Sequence, residues 1–168
     1  HKTPVFLVGG ALRDLFLCRP VADLDLACVS AQGLARKLAA SLKGAFVTLD
    51  DATQVFRVAL PASFGALRQI DLAELQGTGI AEDLARRDFT VNALALALRE
   101  DLPAAVPAKA VLDPRGGLAD LAARLLRCEN ERLLKEDPLR LLRAFRIAAQ
   151  LALTIEPATL ARIAGLRH

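Results

Sequence analysis

An α/β fold with a mixed sheet, passing into an all-helical segment, is the class this sequence predicts, on three observations. Val5 to Val8 is a short apolar run closed by Gly9 and Gly10, after which Ala11 to Leu17 takes helical spacing. Leu24, Leu26 and Cys28 then alternate with Asp23, Asp25 and Ala27, the period of two that marks a half-buried strand. From Asp113 the chain changes character, and Pro138 fits the first turn of a long helix reaching Leu151.

The elements follow in order. Strand, glycine turn and helix come first, and Arg19 with Pro20 turns the chain into the alternating strand, where Asp23 and Asp25 share a face. Ser30 is placed to cap a helix running to about Leu42. Ala45 to Leu49, Val55 to Leu60 and Gln69 to Leu72 read as further strands, and Gly77 with Gly79 as an ordinary turn. Ile80 to Arg86 and Val91 to Leu98 have helical spacing around a polar break, and Pro103 with Pro107 marks a loop. Asp113-Pro114 and Gly116-Gly117 make a turn, Leu125 to Cys128 a short strand, and Pro157 to Leu166 the beginning of another helix. No internal repeat or low-complexity tract interrupts the pattern.

Composition excludes several classes. A chain of 168 residues with 54% apolar content can bury one good core, so disorder is not expected. Cys18, Cys28 and Cys128 are odd in number, widely spaced and without a Cys-x-x-Cys pair, which argues against a disulfide framework or zinc site and for a reducing, cytosolic setting. No apolar run approaches the roughly 18 residues a membrane span needs, and the N-terminus lacks the layout of a signal peptide. The absence of Met, even at position 1, points to a natural N-terminus lying upstream. A net charge of +3 does not by itself announce a nucleic-acid partner.

Phosphoryl and nucleotidyl transfer need divalent metals to hold a triphosphate, and hard Mg²⁺ needs oxygen ligands. Two aspartates at i and i+2 of a strand, Asp23 and Asp25, place their carboxylates side by side and can reach one metal or a pair. Taken alone, Asp-Leu-Asp is more often a solvated strand face than a metal site. The strand, Gly-Gly and helix upstream add a place where backbone N–H groups can approach a phosphate, with Arg13 one turn into the helix. Asp137, Arg140, Arg143 and Arg146 recur every three residues, so they drift by about 60° per step and stay on one broad side of their helix.

Four segments in order carry a family resemblance. Leu7-Val8-Gly9-Gly10-Ala11-Leu12-Arg13-Asp14 with Asp23-Leu24-Asp25 resembles the first signature of the class II tRNA nucleotidyltransferase and poly(A) polymerase family. Glu82 to Ala93, containing Arg86-Arg87-Asp88-Phe89-Thr90-Val91-Asn92, resembles its ribose-reading motif. Asp113 to Leu121 resembles its flexible hinge, and Glu136 to Arg146 its nucleotide-selecting motif. Small departures are Leu12, where Val is common, and Cys18, where Gly often closes the first helix.

The resemblance implies a polymerase-β-like nucleotidyltransferase head over residues 1–127, with a mixed sheet flanked by helices, followed over 128–168 by the start of an all-helical neck. The resemblance also implies that the family's body and tail, which grip RNA, are missing from this sequence. It further implies Mg²⁺ held by Asp23 and Asp25, with Asp71 where a third catalytic carboxylate is often found. Gly10 and Arg13 would touch the triphosphate, and Arg87 with Asp88 the nucleotide near its ribose. An aspartate that accepts from the 2′-hydroxyl tells a ribonucleotide from its deoxy form. Asp137 and Arg140 would offer acceptor and donor to the Watson–Crick edge of the incoming base, with Arg143 and Arg146 also at the nucleotide. The implied activity is template-independent addition of CMP and/or AMP from CTP and ATP to an RNA 3′ end, foremost tRNA CCA-end maturation in the cytoplasm. A poly(A) polymerase is the alternative within the class, and an inactive nucleotide-binding module the alternative outside it.

Overall fold

A computed structural model describes residues 4–99 and 106–166. Six strands form one mixed sheet: β1 (Val5–Val8), β2 (Asp23–Cys28), β3 (Ala45–Asp50), β4 (Val55–Ala59), β5 (Gln69–Glu74) and β6 (Ala95–Ala97), in the order β3-β4-β5-β2-β1-β6. Among the described residues of this sheet only β2 and β5 run parallel, as their long crossover through a helix and a hairpin requires. Their register sets Asp25 opposite Asp71, while the antiparallel β1 sets Asp25 opposite Val8, one residue before the glycine turn. Sheet geometry thus gathers the first signature at one end of three neighbouring strands.

The helices α1 (Gly10–Phe16) and α2 (Ala31–Leu42) cover one face of the sheet and close a core of Leu12, Leu26, Phe56, Val58, Leu72 and Leu94. Small residues at a spacing of four, Ala31, Ala35 and Ala39, let α2 lie close on the strands. Its cap differs from expectation. Ser30 sits at the N-cap in a left-handed conformation (φ 60°) and makes no side-chain cap bond, because that backbone does not aim its hydroxyl at the first turn. Glu74 of β5, in register with Cys28, takes that role: its two carboxylate oxygens accept from the N–H groups of Ser30 and Ala31, each at 2.8 Å. Cys18, where glycine was the family expectation, adopts φ 53°, a left-handed conformation that glycine takes at less cost.

Val91 to Leu98, expected as a helix, is instead a 3₁₀ turn at Thr90–Asn92 followed by β6. A short run of alternating Ala and Leu cannot be assigned by periodicity, and the open edge of β1 decides it by pairing Val8 with Ala95 and Phe6 with Ala97. The helix α3 (Ile80–Ala85) precedes that turn and packs Leu84 against Val8, Ala93 and Ala95. The expected loop at Pro103 lies outside the described residues; Pro107 precedes a short 3₁₀ turn at Ala108–Ala110.

The C-terminal part holds α4 (Gly117–Ala122), β7 (Leu125–Leu126), α5 (Glu131–Glu136), α6 (Leu139–Leu151), β8 (Thr154–Ile155) and α7 (Pro157–Gly165). The sequence reading missed α4 and α5, each only six residues long and too short to display a period. Gly117 is where α4 meets the turn after Asp88, and any side chain there would collide with the Thr90 carbonyl. A second core joins Phe89, Val91, Leu121 and Leu126 to Ala144, Ile147 and Leu151 of α6 and Ile163 of α7. That core spans the expected boundary at 127, and so does the parallel pair of β7 with β8. Among the described residues no helix is long and apolar enough to cross a membrane.

Candidate functional site

A cleft of about 350 Å³ opens between the first glycine turn, the turn after α3 and α6. It is lined by Gly9, Gly10, Arg13, Asp25, Arg86, Arg87, Asp88, Asn92, Arg140, Arg143, Arg146, Ile147 and Gln150. The volume falls within the range of small-molecule sites, and six arginines against two aspartates favour a strongly anionic ligand.

Gly9 makes the floor possible. It sits at φ 70°, and a Cβ there would lie 3.0 Å from Arg87 Nη1 and 3.6 Å from Asp25 Oδ2. Arg13 folds over Gly10 and is held by Asp14 (Nε to Oδ1, 3.0 Å) and by Asn92, whose Oδ1 accepts from Nη1 at 2.7 Å. Arg87 is held by the buried Asp83 one helical turn earlier, at 3.0 Å, and its carbonyl accepts from Arg115 of the hinge segment at 2.6 Å. These ties fix the guanidiniums before any ligand arrives, which reduces the ordering cost of binding.

Asp88 is only 4% exposed. Its Oδ1 accepts from the Phe89 N–H at 2.9 Å and from Asn92 Nδ2 at 3.3 Å. Its Oδ2 lies 2.9 Å from Arg143 Nη2, an ion-pair distance, but off the line of a hydrogen bond, so Oδ2 remains buried without a donor. Arg143 Nε is likewise buried and without an acceptor. Both atoms belong to the one Asp88–Arg143 ion pair, so the charges are balanced while hydrogen-bonding capacity is left over at the cavity wall.

Asp25 titrates above the usual carboxylate range. Burial is the largest cause, followed by the negative charge of Asp71, with Asp23 adding to it and Arg87 and Arg13 opposing. The sign for stability follows: the unfolded chain gives up this proton more readily than the fold does, so ionised Asp25 costs stability. That cost is absent well below pH 3.8, grows as pH rises toward the raised folded value, and is complete above it. Asp25→Asn should therefore raise the melting temperature at neutral pH without divalent cation, with the gain fading as pH falls from the raised folded value toward 3.8 and absent well below it. Thermal melts of both proteins from pH 3 to 8 check this; a variant less stable than the parent at neutral pH would contradict it.

Of the residues expected from the sequence, Gly10, Arg13, Asp25, Arg87, Asp88, Arg140, Arg143 and Arg146 all face the one cleft. Asp23 is exposed on β2, close enough to Asp25 to oppose its ionisation. Asp71 is engaged: Arg57, its cross-strand neighbour on β4, donates to both carboxylate oxygens at 2.7 and 2.8 Å. Asp137 caps α6, accepting from the Leu139 N–H at 2.9 Å, with its other oxygen 3.8 Å from Arg140 Nε. Arg140 donates to the Leu133 carbonyl at 2.7 Å. Among the described residues no group of three or more His, Cys, Asp or Glu is set to hold a metal, which agrees with Asp71 being occupied by Arg57. Sequence reasoning missed Asn92 as a site residue although it lies within the ribose-reading segment, and missed Arg57, which carries no motif signal at all.

The comparisons fit this geometry. The chain is 43% identical to the CC-adding tRNA nucleotidyltransferase of Geobacter sulfurreducens over 94% of its own length and 34% of that protein. It is 41% identical to the A-adding tRNA nucleotidyltransferase of Deinococcus radiodurans over 91% of its length and 32% of that protein. The Thermotoga maritima CCA-adding enzyme, solved with tRNA, superposes with a TM-score of 0.78 at 30% identity, covering 96% of this chain and 37% of that one. The chain thus spans about a third of the length of these curated relatives. Residues 5–127, which hold the whole mixed sheet, the glycine turn and the arginine-aspartate turn, match the Poly A polymerase head domain, and the chain belongs to that family.

Proposed function

We propose that this chain is the nucleotide-binding head of a template-independent RNA nucleotidyltransferase that adds CMP and/or AMP from CTP and ATP to the 3′ end of tRNA. The observation that carries the proposal is a single cleft joining Asp25, the Gly9-Gly10 turn with Arg13, the open acceptor of Asp88 and the arginine face of α6. Relatives named for CC addition and for A addition are almost equally similar, which supports the tRNA reading over poly(A) synthesis. In this reading residues 1–127 form the head and 128–168 begin the neck, the second core locking the two together. A cytoplasmic location goes with tRNA maturation and with Cys28 and Cys128 buried as free thiols.

Each residue has a task. Arg13, above Gly10, binds the triphosphate, and Arg87 binds beside it. Asp88 Oδ2 accepts from the ribose 2′-hydroxyl, giving the buried oxygen the donor it lacks. Asp137 and Arg140 select the base, and Arg143 and Arg146 close the nucleotide's other side. Asp23 and Asp25 fit Mg²⁺: both are hard oxygen donors two residues apart, and ionisation of Asp25 is resisted by burial first and then by the negative charge of Asp71 and Asp23, the part a cation relieves. When bound, the cation supplies positive charge to the phosphate oxygens and lowers the barrier to attack. Asp71 is held by Arg57 through both oxygens and could join with the lone pairs that pair leaves free. In the reaction the RNA 3′-hydroxyl oxygen bonds to the α-phosphorus, its proton is released, and pyrophosphate leaves.

The test incubates the protein carrying this head with Mg²⁺, CTP, ATP and a tRNA that ends before CCA, and sizes the products. Growth by one to three nucleotides is expected. A long adenylate tract would replace the proposal with poly(A) synthesis, and no extension at all would replace it with an inactive module.

A further inference from the structure

Asn92 touches both anchors of the cleft. It is buried, lines the cavity wall, and its amide reaches two charged groups from separate parts of the fold. Its Oδ1 accepts from Arg13 Nη1 at 2.7 Å, and its Nδ2 donates to Asp88 Oδ1 at 3.3 Å. Chemistry fixes this orientation, because a guanidinium can only donate and an ionised carboxylate can only accept. The residue cannot drift: its backbone N–H donates to the Phe89 carbonyl at 2.9 Å, and in the same turn the Thr90 hydroxyl donates to Asp120 at 2.6 Å. Arg13 is held from its far side by Asp14, and Asp88 Oδ1 also accepts from the Phe89 N–H, so Asn92 is the link between two otherwise separately supported groups.

We propose that Asn92 is a positioning residue that sets the distance between Arg13 and Asp88 and so makes ribose selection depend on triphosphate binding. The proposal builds on the roles given above to Arg13 and Asp88. The Asn92 amide and the Phe89 N–H together occupy Oδ1 of Asp88, which leaves Oδ2, beside Arg143, as the oxygen for a 2′-hydroxyl donor. Arg13 pulled by a triphosphate would act on the same amide, so the phosphate end and the sugar end of the ligand are read in one rigid frame.

The test measures ATP and dATP affinity by calorimetry with Mg²⁺ for the parent chain, Asn92→Asp, Asn92→Ala, Asp88→Ala and Arg13→Ala, with a melting curve for each. Asn92→Asp keeps an acceptor for Arg13 and sets a carboxylate where the donor to Asp88 stood, so both nucleotides should weaken through the added negative charge while the preference for ATP over dATP falls about tenfold. Asn92→Ala removes both bonds, and should lose the preference and also weaken both nucleotides; it carries the test if the aspartate variant does not fold. A preference that persists in both folded Asn92 variants but vanishes in Asp88→Ala overturns the positioning role alone. A preference unchanged in Asp88→Ala overturns instead the assignment of Asp88 to the ribose. Equal weakening of ATP and dATP in the Asn92 variants, with lower melting temperatures, marks a purely structural residue and also overturns the proposal.

Discussion

Asp23→Ala or Asp25→Ala is expected to reduce nucleotide transfer by about a thousandfold or more, since each removes an oxygen ligand from a site where bound metal contributes several kcal/mol to the transition state. The fold should survive. Asp23 is exposed, and Asp25 is a half-buried group whose charge costs stability, so neither side chain holds the core together. The two variants should nonetheless differ without metal: Asp25→Ala loses a destabilising charge, whereas Asp23→Ala merely relieves one neighbour of it. Single-turnover transfer with saturating Mg²⁺ and a melting curve on each protein are the measurements. Near-normal turnover in either variant would remove that residue from the metal site, and loss of the cooperative melt would make the activity result uninformative for it, leaving the isosteric Asp→Asn pair to decide.

Replacing Asp137 or Arg140 should flatten discrimination among ATP, CTP, GTP and UTP by about ten- to a hundredfold, the range set by a hydrogen bond to a charged group. The two lie one turn apart at the start of α6, and their charged atoms approach to 3.8 Å, close enough to present a donor and an acceptor edge together. Arg140 faces the cleft with its guanidinium tethered to the Leu133 carbonyl. Asp137 spends one oxygen on capping α6 and has the other available. Asp137→Asn keeps an acceptor for the cap and should therefore change base preference with little loss of stability, whereas Asp137→Ala should lower both. Competition binding of the four nucleotides to each variant separates the outcomes. If all four weaken in equal proportion, these residues read phosphate and the base is selected elsewhere.

The residue pattern settled the strand, Gly-Gly, helix and Asp-Leu-Asp order, because local rules govern each: a period of two, a glycine turn, a helical spacing. It also determined the arginine face of α6, since spacing by three puts Arg140, Arg143 and Arg146 on one side whatever the helix packs against. Other features depend on partners far along the chain. The run Ala95 to Ala97 became a strand because β1 had an open edge, which no local pattern records. Glu74 replaced Ser30 as the cap of α2 because parallel pairing set it in register with Cys28. Arg57 took hold of Asp71 through cross-strand register, and Asn92 came between Arg13 and Asp88 because the second core anchors the turn after α3. Periodicity tells which face a side chain takes; register and packing decide which charged group it meets there, and that meeting sets the chemistry of the cleft.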